Sequence, residues 1–385
     1  MNPIQSNQRI AIVDILRGWA LLGVVLINYV DYYNLGIDFK TFQPDHSTSF
    51  FIGITNVLFS AKSWTLLSLL FGYGFAMLMQ NIAQKGINPG IFFTKRMFWL
   101  LIIALINSAF YWGDILKDYA IMGMILLLFY RCKARVTFYI SICLLLLVPA
   151  VAAYDHSLNP PSGLTLVNNY SYLLKSHNLF EVLWFGLVGT YQFEMRSLNY
   201  LLIVHLVMLS CFLLGFSAQK IQFFDHLFGN KKYIKRIFWY SLSSILAIAA
   251  IVVVSFRLKL TWLQYYFPFY WVIIASMLFI ASAICWLYVS NKLTGFFKSL
   301  QVIGRMTLTN YIIQNIIALL LFSGFGFGLS LTNRMHIGYY LLIAALIFIA
   351  QIFFSKWWLA RFYYGPIEWI WRQLSYGNKI ELRRK

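Results

Sequence analysis

The first apolar segment of the chain carries an acid, a base and an amide on what would be one side of a helix. Asp14, Arg17 and Asn28 share this stripe with Leu21 and Val24, at the three- and four-residue spacing of a helical face. An unpaired charge in lipid costs about 2.5–3.5 kcal/mol, so Asp14 and Arg17 must pair or face protein or water. The stripe is therefore a candidate substrate-binding site, and its simpler interpretation is an ion pair that orients the helix end.

A second polar face lies in the segment GRMTLTNYIIQN, residues 304–315. Four of its side chains recur at offsets of three, four and seven residues, namely Thr307, Asn310, Tyr311 and Gln314. Within lipid these groups need hydrogen-bond partners, and either a neighbouring helix or a polar substrate would supply them. Arg305 precedes the face and is suited to bind a phosphate or a lipid headgroup.

Acidic and histidine side chains supply the remaining candidates. The segment 111–119 places Asp114 and Asp118 four residues apart. Like charges at this spacing repel unless a cation or polar ligand offsets them, although Asp114 could instead serve as a helix N-cap. His46, in a loop after the first apolar segment, is the candidate for proton chemistry. His205 lies within an apolar segment, where a lone histidine is more often a helix-packing donor.

The composition is that of a membrane protein. Of the 385 residues 61% are hydrophobic and 11% are charged, with a mean hydropathy of +0.70, whereas soluble domains are about 25% charged. The sequence therefore predicts an all-α, polytopic helix bundle. The formal net charge of +19 suggests a nucleic-acid partner, but the basic residues sit in short loops between apolar spans, as the positive-inside rule predicts. We therefore expect no nucleic-acid binding.

The order of apolar segments predicts a single transmembrane domain, residues 1–385. Lys and Arg concentrate in the loops after even-numbered spans, so both termini are predicted to be cytoplasmic. Two longer segments, 32–62 and 155–197, would then lie outside, and residues 366–375 would form a cytoplasmic interfacial helix. Ten spans are expected, at 10–31, 63–82, 92–112, 116–131, 135–154, 198–218, 236–256, 266–290, 306–326 and 338–359.

The two outside segments carry further patterns. The aromatic pair Phe50-Phe51 is suited to lie along the membrane interface. Residues 159–163 read as a stiff turn, and the apolar stretch 180–193 reads as an interfacial or re-entrant helix, or as the start of a long sixth helix. Their aromatic content favours packed segments, which would suit a lid over an outside-facing cavity.

Glycine and proline mark other local features. Gly72 and Gly74 remove side chains from the second span, which favours close helix packing over ligand approach. Pro366 follows a glycine and begins a new helix, in which Glu368 and Arg372 are spaced to pair.

Soluble-enzyme chemistry has no sequence motif here, and no cleavable signal peptide is evident. We expect no metal site and no permanently bound cofactor, because the four cysteines lack metal-ligand spacing. They are Cys132, Cys143, Cys211 and Cys285.

Several blocks together resemble the YeiB-like family of bacterial inner-membrane proteins, which is named mainly for lacking a known function. The resemblance spans nearly the whole chain and implies a multi-pass protein of the bacterial cytoplasmic membrane. The blocks are DILRGWALLGVVLIN at 14–28, LLSLLFGYGFAML at 66–78, WGDIL at 112–116, GRMTLTNYIIQ at 304–314 and GPIEWIWRQL at 365–374.

This family is grouped with a superfamily of transmembrane acyltransferases, which resemble the chain chiefly in the first span. Their pattern is an Asp, an Arg-Gly pair and a polar residue eleven positions after the Arg, here Arg17 and Asn28. Acyltransferase family 3 has a histidine at the second position, whereas an asparagine cannot take a proton at neutral pH. The resemblance implies that Arg17 binds the donor phosphate or thioester and that Asn28 orients substrate or stabilises an oxyanion. His46 or an outside Asp would act as the base.

The sequence is compatible with two main functions. The first is a membrane acyltransferase that takes an acyl group from a cytoplasmic acyl-CoA and transfers it to an outside-facing glycan or lipid. The second is a transporter or transport-associated protein whose solute path is lined by Asp14, Arg17 and Asn28. A structural or sensory membrane protein without enzymatic turnover is a third hypothesis, but the sequence shows no domain that would transmit a signal. In each case membrane lipids are the expected surroundings.

Overall fold

The computed structural model describes residues 10–37, 41–158, 162–197, 199–329 and 335–384. The described ranges consist of helices joined by turns and loops and contain no strand, with one isolated antiparallel bridge between Phe362 and Arg383. The predicted all-α class is confirmed. The helices are α1 (Ala11–Asn34), α2 (His46–Leu58), α3 (Lys62–Gln84), α4 (Pro89–Ser108), α5 (Leu116–Leu127), α6 (Ala134–Ser157), α7 (Gly163–Asn168), α8 (Ser171–Leu174), α9 (Leu179–Thr190), α10 (His205–Lys220), α11 (Lys231–Arg257), α12 (Phe269–Val289), α13 (Thr294–Gly304), α14 (Thr307–Phe322), α15 (Ile337–Arg361) and α16 (Pro366–Tyr376).

Eight apolar helices of the described residues are long enough to cross a membrane, and a bent pair raises the number to nine. The ten expected spans are therefore not all present as long helices. The fourth, at 116–131, contains only α5, which has 12 residues. The ninth begins with α14, which has 16 residues and meets α13 at an angle of 81°. A hydropathy pattern shows how long an apolar segment is, but it does not show where a helix within that segment breaks.

α1 lies at the centre of the bundle, and glycines bring it close to α13. A Cβ built on Gly18 would lie 2.1 Å from the carbonyl oxygen of Leu300, and one on Gly304 would meet the carbonyl oxygen of Asp14. The two backbones are therefore in contact, which only glycine permits. α3 and α10 approach in the same way, because a Cβ on Gly72 would meet the carbonyl oxygen of Phe212. Close packing thus accounts for Gly72, as the sequence favoured.

α11 lies at the periphery and packs mainly on α12. Only 6% of its apolar window is buried, against 67% for α1. A 27-residue apolar helix with so little protein cover would be unstable in water. Each Å² of apolar surface that stays exposed to water forgoes about 25 cal/mol of favourable burial free energy. The chain is therefore a membrane protein whose outer helices face lipid.

The segments predicted to lie outside form short helices. α2 occupies 13 residues of the segment 32–62, and α7, α8, α9 and a π-helical turn, Tyr191–Met195, lie within 163–195. Most of the stiff turn expected at 159–163 lies outside the described residues. α9 packs on the turn between α4 and α5, where a Cβ on Gly186 would meet the backbone of Ala109. The cytoplasmic position of both termini stays a prediction from the loop charges.

Candidate functional site

Arginine side chains gather at the end of the bundle where α1 begins. Arg17 pairs with Asp14 at 3.4 Å between Nη1 and Oδ1, and 32% of the Arg17 side chain is exposed. Its guanidinium extends over α3, where the absent side chain of Gly74 leaves room. The charged neighbours of Arg96 on α4 include Arg17 and Arg372 of α16. We call Arg17, Arg96 and Arg372 the arginine cluster.

The break between α13 and α14 lies beside the first turns of α1, the helix that carries Arg17. Arg305 occupies this break, directly after the glycine that packs on the backbone of Asp14. The Glu368 carboxylate of α16 accepts hydrogen bonds from the backbone N–H groups of Leu308 (2.7 Å) and Thr309 (3.0 Å), and from the Thr309 hydroxyl. It therefore caps the start of α14, where the helix dipole favours an anion.

The same cap joins two of the blocks that carry the family resemblance, residues 304–314 and 365–374. A Cβ on Gly365 would lie within 2.7 Å of the Thr309 hydroxyl oxygen, so the glycine lets α16 approach the start of α14. Burial raises the pKa of Glu368 in spite of its hydrogen bonds. The pairing of Glu368 with Arg372 stays a prediction from their spacing, and the hydrogen bonds of the Glu368 carboxylate reach a different helix, α14.

Amide side chains connect the middle of α1 to its neighbours. Asn28 donates from Nδ2 to Oδ1 of Asn315 on α14 (3.3 Å), and Asn315 donates to Oδ1 of Asn107 on α4 (3.3 Å). All three side chains are buried. Asn28 therefore sits in a three-helix hydrogen-bond network.

The other predicted polar residues of α14 face α15. Gln314 donates to Gln351 (2.7 Å), and Asn310 donates to Ser355 (3.0 Å). Thr307 donates to the carbonyl of Gly304 within its own turn. Of the two partners expected for this face, a helix or a substrate, the structure supplies a helix.

The turn after α4 buries Asp114 completely. Tyr311 of α14 donates to its carboxylate (2.9 Å), and so do Ser108 (3.5 Å) and the backbone N–H of Leu116 (3.2 Å). Burial raises the pKa of Asp114 to about 6, because the charged form is poorly solvated there. Asp114 thus ties α14 to the start of α5, next to the amide network.

Two acid–base pairs follow at the start of α5. Lys117 forms an ion pair with Glu194 of the π-helical turn and also donates to the carbonyl of Asp114. Asp118 accepts from the Tyr200 hydroxyl (2.6 Å) and contacts His205 Nε2 (3.2 Å). Burial raises the pKa of Glu194.

Sequence reasoning named Asp118 but missed its partner and missed the second pair. Lys117, Glu194 and His205 were each visible as ionisable residues in or beside apolar segments, and that was the available signal.

His46, the predicted catalytic histidine, is exposed at the first residue of α2. Next to it the Ser47 hydroxyl donates to Asp45 (2.5 Å) and contacts His336 Nε2 (2.8 Å). Hydrogen bonds from Ser47 and then Thr48 lower the pKa of Asp45 to about 2. His336 Nδ1 accepts from a backbone N–H, so Nε2 carries the proton of the neutral ring and does not activate Ser47 as a base would.

The predicted site residues therefore fall into separate groups. Arg17 and Asn28 are eleven residues apart, about 16 Å along α1, and they have different partners. Two pockets in the described part of the chain, of about 190 and 350 Å³, lie elsewhere, and neither is lined by α1. Among the described residues no group of three or more His, Cys, Asp and Glu side chains could hold a metal ion.

Comparison with known proteins gives relatives without a known activity. A family described as "Protein of unknown function (DUF418)" matches residues 218–378. The chain is 27% identical to "Uncharacterized protein YxaH" of Bacillus subtilis, over 100% of this chain and 98% of that protein. It is also 27% identical to "Uncharacterized 39.9 kDa protein in amylase 3'region" of Bacillus acidopullulyticus, over 100% and 99% of the two chains.

A third relative is the protein that gives the predicted family its name. The chain is 40% identical to "Uncharacterized protein YeiB" of Escherichia coli over 79 residues, which is 20% of this chain and 19% of that protein. No solved structure matches the chain. The family match includes the start of α14 and the whole of α16, the two elements joined by the Glu368 cap. The chain is therefore similar to the YeiB-like membrane proteins, and residues 218–378 match a family of unknown function.

Proposed function

We propose that this protein is an integral membrane acyltransferase that uses acyl-CoA as its donor and a glycan or lipid as its acceptor. The observation that carries the proposal is the arginine cluster, in which side chains of α1, α4 and α16 come near one another. Guanidinium groups bind phosphate through two parallel hydrogen bonds, and coenzyme A is rich in phosphate. The cluster lies at the end predicted to be cytoplasmic, where acyl-CoA is found.

In the proposed reaction the acceptor hydroxyl or amine attacks the thioester carbonyl. A C–O or C–N bond forms, the C–S bond breaks, and the acceptor proton passes through a base to the departing thiolate. Asn28 would orient the substrate or donate to the oxyanion through its amide. His46 or one of the acids predicted to face outside, Asp114 or Asp118, would serve as the base. Thr307, Asn310 and Gln314 would be further substrate-binding residues, and the bacterial cytoplasmic membrane would be the location.

Coenzyme A binding tests this proposal. Purified protein in detergent is titrated with acetyl-CoA by calorimetry. A charged hydrogen bond contributes about 1.5–3 kcal/mol, so Arg17→Ala and Arg372→Ala should each weaken binding about ten- to a hundred-fold. Asn28→Ala should weaken it less. Arg131→Ala is the matched control, because Arg131 is exposed outside the cluster and its loss should leave affinity unchanged. The absence of binding at millimolar acetyl-CoA would refute the donor assignment.

A proton-coupled transporter is the second candidate, and a different observation favours it. Polar side chains lead from Asn28 through Asn107 and Asp114 to the buried pairs of α5. Ionisable residues inside a bundle often mark ion or proton pathways. Reconstituted vesicles that take up protons with a solute, from protein that binds no acetyl-CoA, would favour transport over acyl transfer.

A further inference from the structure

The hydrogen-bond geometry of the Asp118–His205 pair requires one more proton than a neutral His205 and an ionised Asp118 carry. His205 Nδ1 lies 2.9 Å from the backbone carbonyl oxygen of Leu201. A carbonyl only accepts, so Nδ1 must carry a hydrogen. His205 Nε2 lies 3.2 Å from Oδ1 of Asp118. If His205 were neutral and Asp118 ionised, a nitrogen lone pair would face a carboxylate oxygen and no hydrogen would lie between them.

Two protonation states avoid this clash, and both hold one more proton. Either the imidazole is protonated and Nε2 donates to the carboxylate, or Asp118 is protonated and donates to Nε2. The Tyr200 hydroxyl donates to the other carboxylate oxygen at 2.6 Å, so that oxygen is satisfied in both states.

The surrounding charges favour the additional proton. The titratable groups packed around the pair include Asp114, Lys117 and Glu194. Their acids outnumber their one base, and Glu194 is buried, with Oε1 making no hydrogen bond within the described residues. A buried excess of negative charge is costly, and a proton on the Asp118–His205 pair reduces it, as a proton on Asp114 or Glu194 would.

The other elements packed here add few charges. Tyr119 lies one residue after Asp118, and its hydroxyl bonds to Ser68 and to the carbonyl of Trp64 of α3. α6 packs beside α10 and carries Asp155 and His156 near its end. None of these residues is a lysine or an arginine, so only a protonated His156 would add a positive charge.

The pair also has a route to the surface. The His205 side chain is 20% exposed, whereas that of Asp118 is 4% exposed. His205 follows a π-helical segment, Asn199–Val204, and its ring bonds to a carbonyl within that segment. Insertions of this kind are frequent at functional sites.

We propose that Asp118 and His205 form a proton-binding site, which holds one proton in the folded protein at neutral pH and exchanges it through the exposed edge of the imidazole. The proton is bound whether or not a donor or acceptor substrate is present, so the test of this site does not require acyl transfer. It would serve any function of the protein that takes up or releases a proton at this end of the bundle.

Nuclear magnetic resonance of the histidine nitrogens tests the proposal. Protein labelled with 15N-histidine is reconstituted in lipid vesicles at pH 8, where an ordinary histidine is neutral. One of the six histidines should give an imidazolium signal, and His205→Gln should remove that signal. If the proton resides on the carboxyl instead, infrared spectra should show a protonated carboxyl group that Asp118→Asn removes.

Asp118→Asn is also a variant that should fold. An asparagine amide can donate to a neutral His205 Nε2, and its oxygen can accept from Tyr200, so every hydrogen bond is kept without the additional proton. The imidazolium signal should therefore disappear. His46→Gln is the matched control and should leave it unchanged. A wild-type spectrum at pH 8 with neither an imidazolium from His205 nor a protonated Asp118 would overturn the proposal, and this measurement needs no variant.

A stability measurement gives an independent check. If the folded state binds a proton that the unfolded state lacks, the folded state loses stability as the pH rises. The equilibrium constant of folding then falls about ten-fold for each pH unit above the ordinary pKa of histidine. The wild type should therefore lose stability from pH 7 to 8, and Asp118→Asn should show a shallower loss. Equal slopes in the two proteins would contradict the proposal.

Discussion

The contact between α1 and α13 makes Gly18 the position where one added methyl group should do most harm. The Cβ of an alanine would lie 2.1 Å from the carbonyl oxygen of Leu300, whereas ordinary contact begins at 3.4 Å. The neighbour is backbone, so no side chain can rotate away. Gly18→Ala must therefore separate the two helices by about 1 Å.

The expected cost follows from this separation. Forcing extra atoms into a packed interior costs about 1–3 kcal/mol, and the helix propensity of alanine returns at most about 1 kcal/mol. With that gain subtracted, Gly18→Ala should destabilise the protein by up to about 2 kcal/mol. It should also weaken acetyl-CoA binding, because Arg17 is the preceding residue and moves with the helix.

Gly53 provides the matched control. It lies within a helix, α2, but a Cβ there would meet nothing within 4 Å. Gly53→Ala should therefore be neutral or stabilising by up to about 1 kcal/mol. Both variants are compared with wild type by the midpoint of unfolding as sodium dodecyl sulfate is added to mixed micelles. A Gly18→Ala protein as stable as Gly53→Ala would refute the argument that backbone contact requires glycine.

Other variants test the buried charges. Lys117→Met should cost about 3–5 kcal/mol by leaving Glu194 unpaired, and adding Glu194→Met should recover most of this in the same unfolding assay. Glu368→Ala should cost about 2–5 kcal/mol by exposing two N–H groups at the start of α14, whereas the exposed Glu181→Ala should cost little. Hydrogen bonds lower the pKa of Asp45 to about 2, so its contribution is present above about pH 4. That contribution should be lost as the pH falls towards 2, and the loss should be absent in Asp45→Asn.

Local features of the fold followed from the sequence. The Asp14–Arg17 pair joins residues three apart on one helix, and such a contact depends only on helical spacing. The start of α16 at Pro366 and the close packing at Gly72 likewise express the chemistry of one residue type. Apolar content alone required a membrane bundle, because no soluble fold of this size could bury it.

The tertiary structure decided which distant groups meet. Asn28 contacts a residue 287 positions away, and Asp118 meets its histidine 87 positions away. A single sequence contains the polar residues but not the pairing, since any buried donor can satisfy any buried acceptor. The same holds for the short α5 and the bend before α14, where hydropathy continues across a break. Composition and periodicity thus determined the class of the protein, whereas helix packing determined which polar groups form its charged and amide networks.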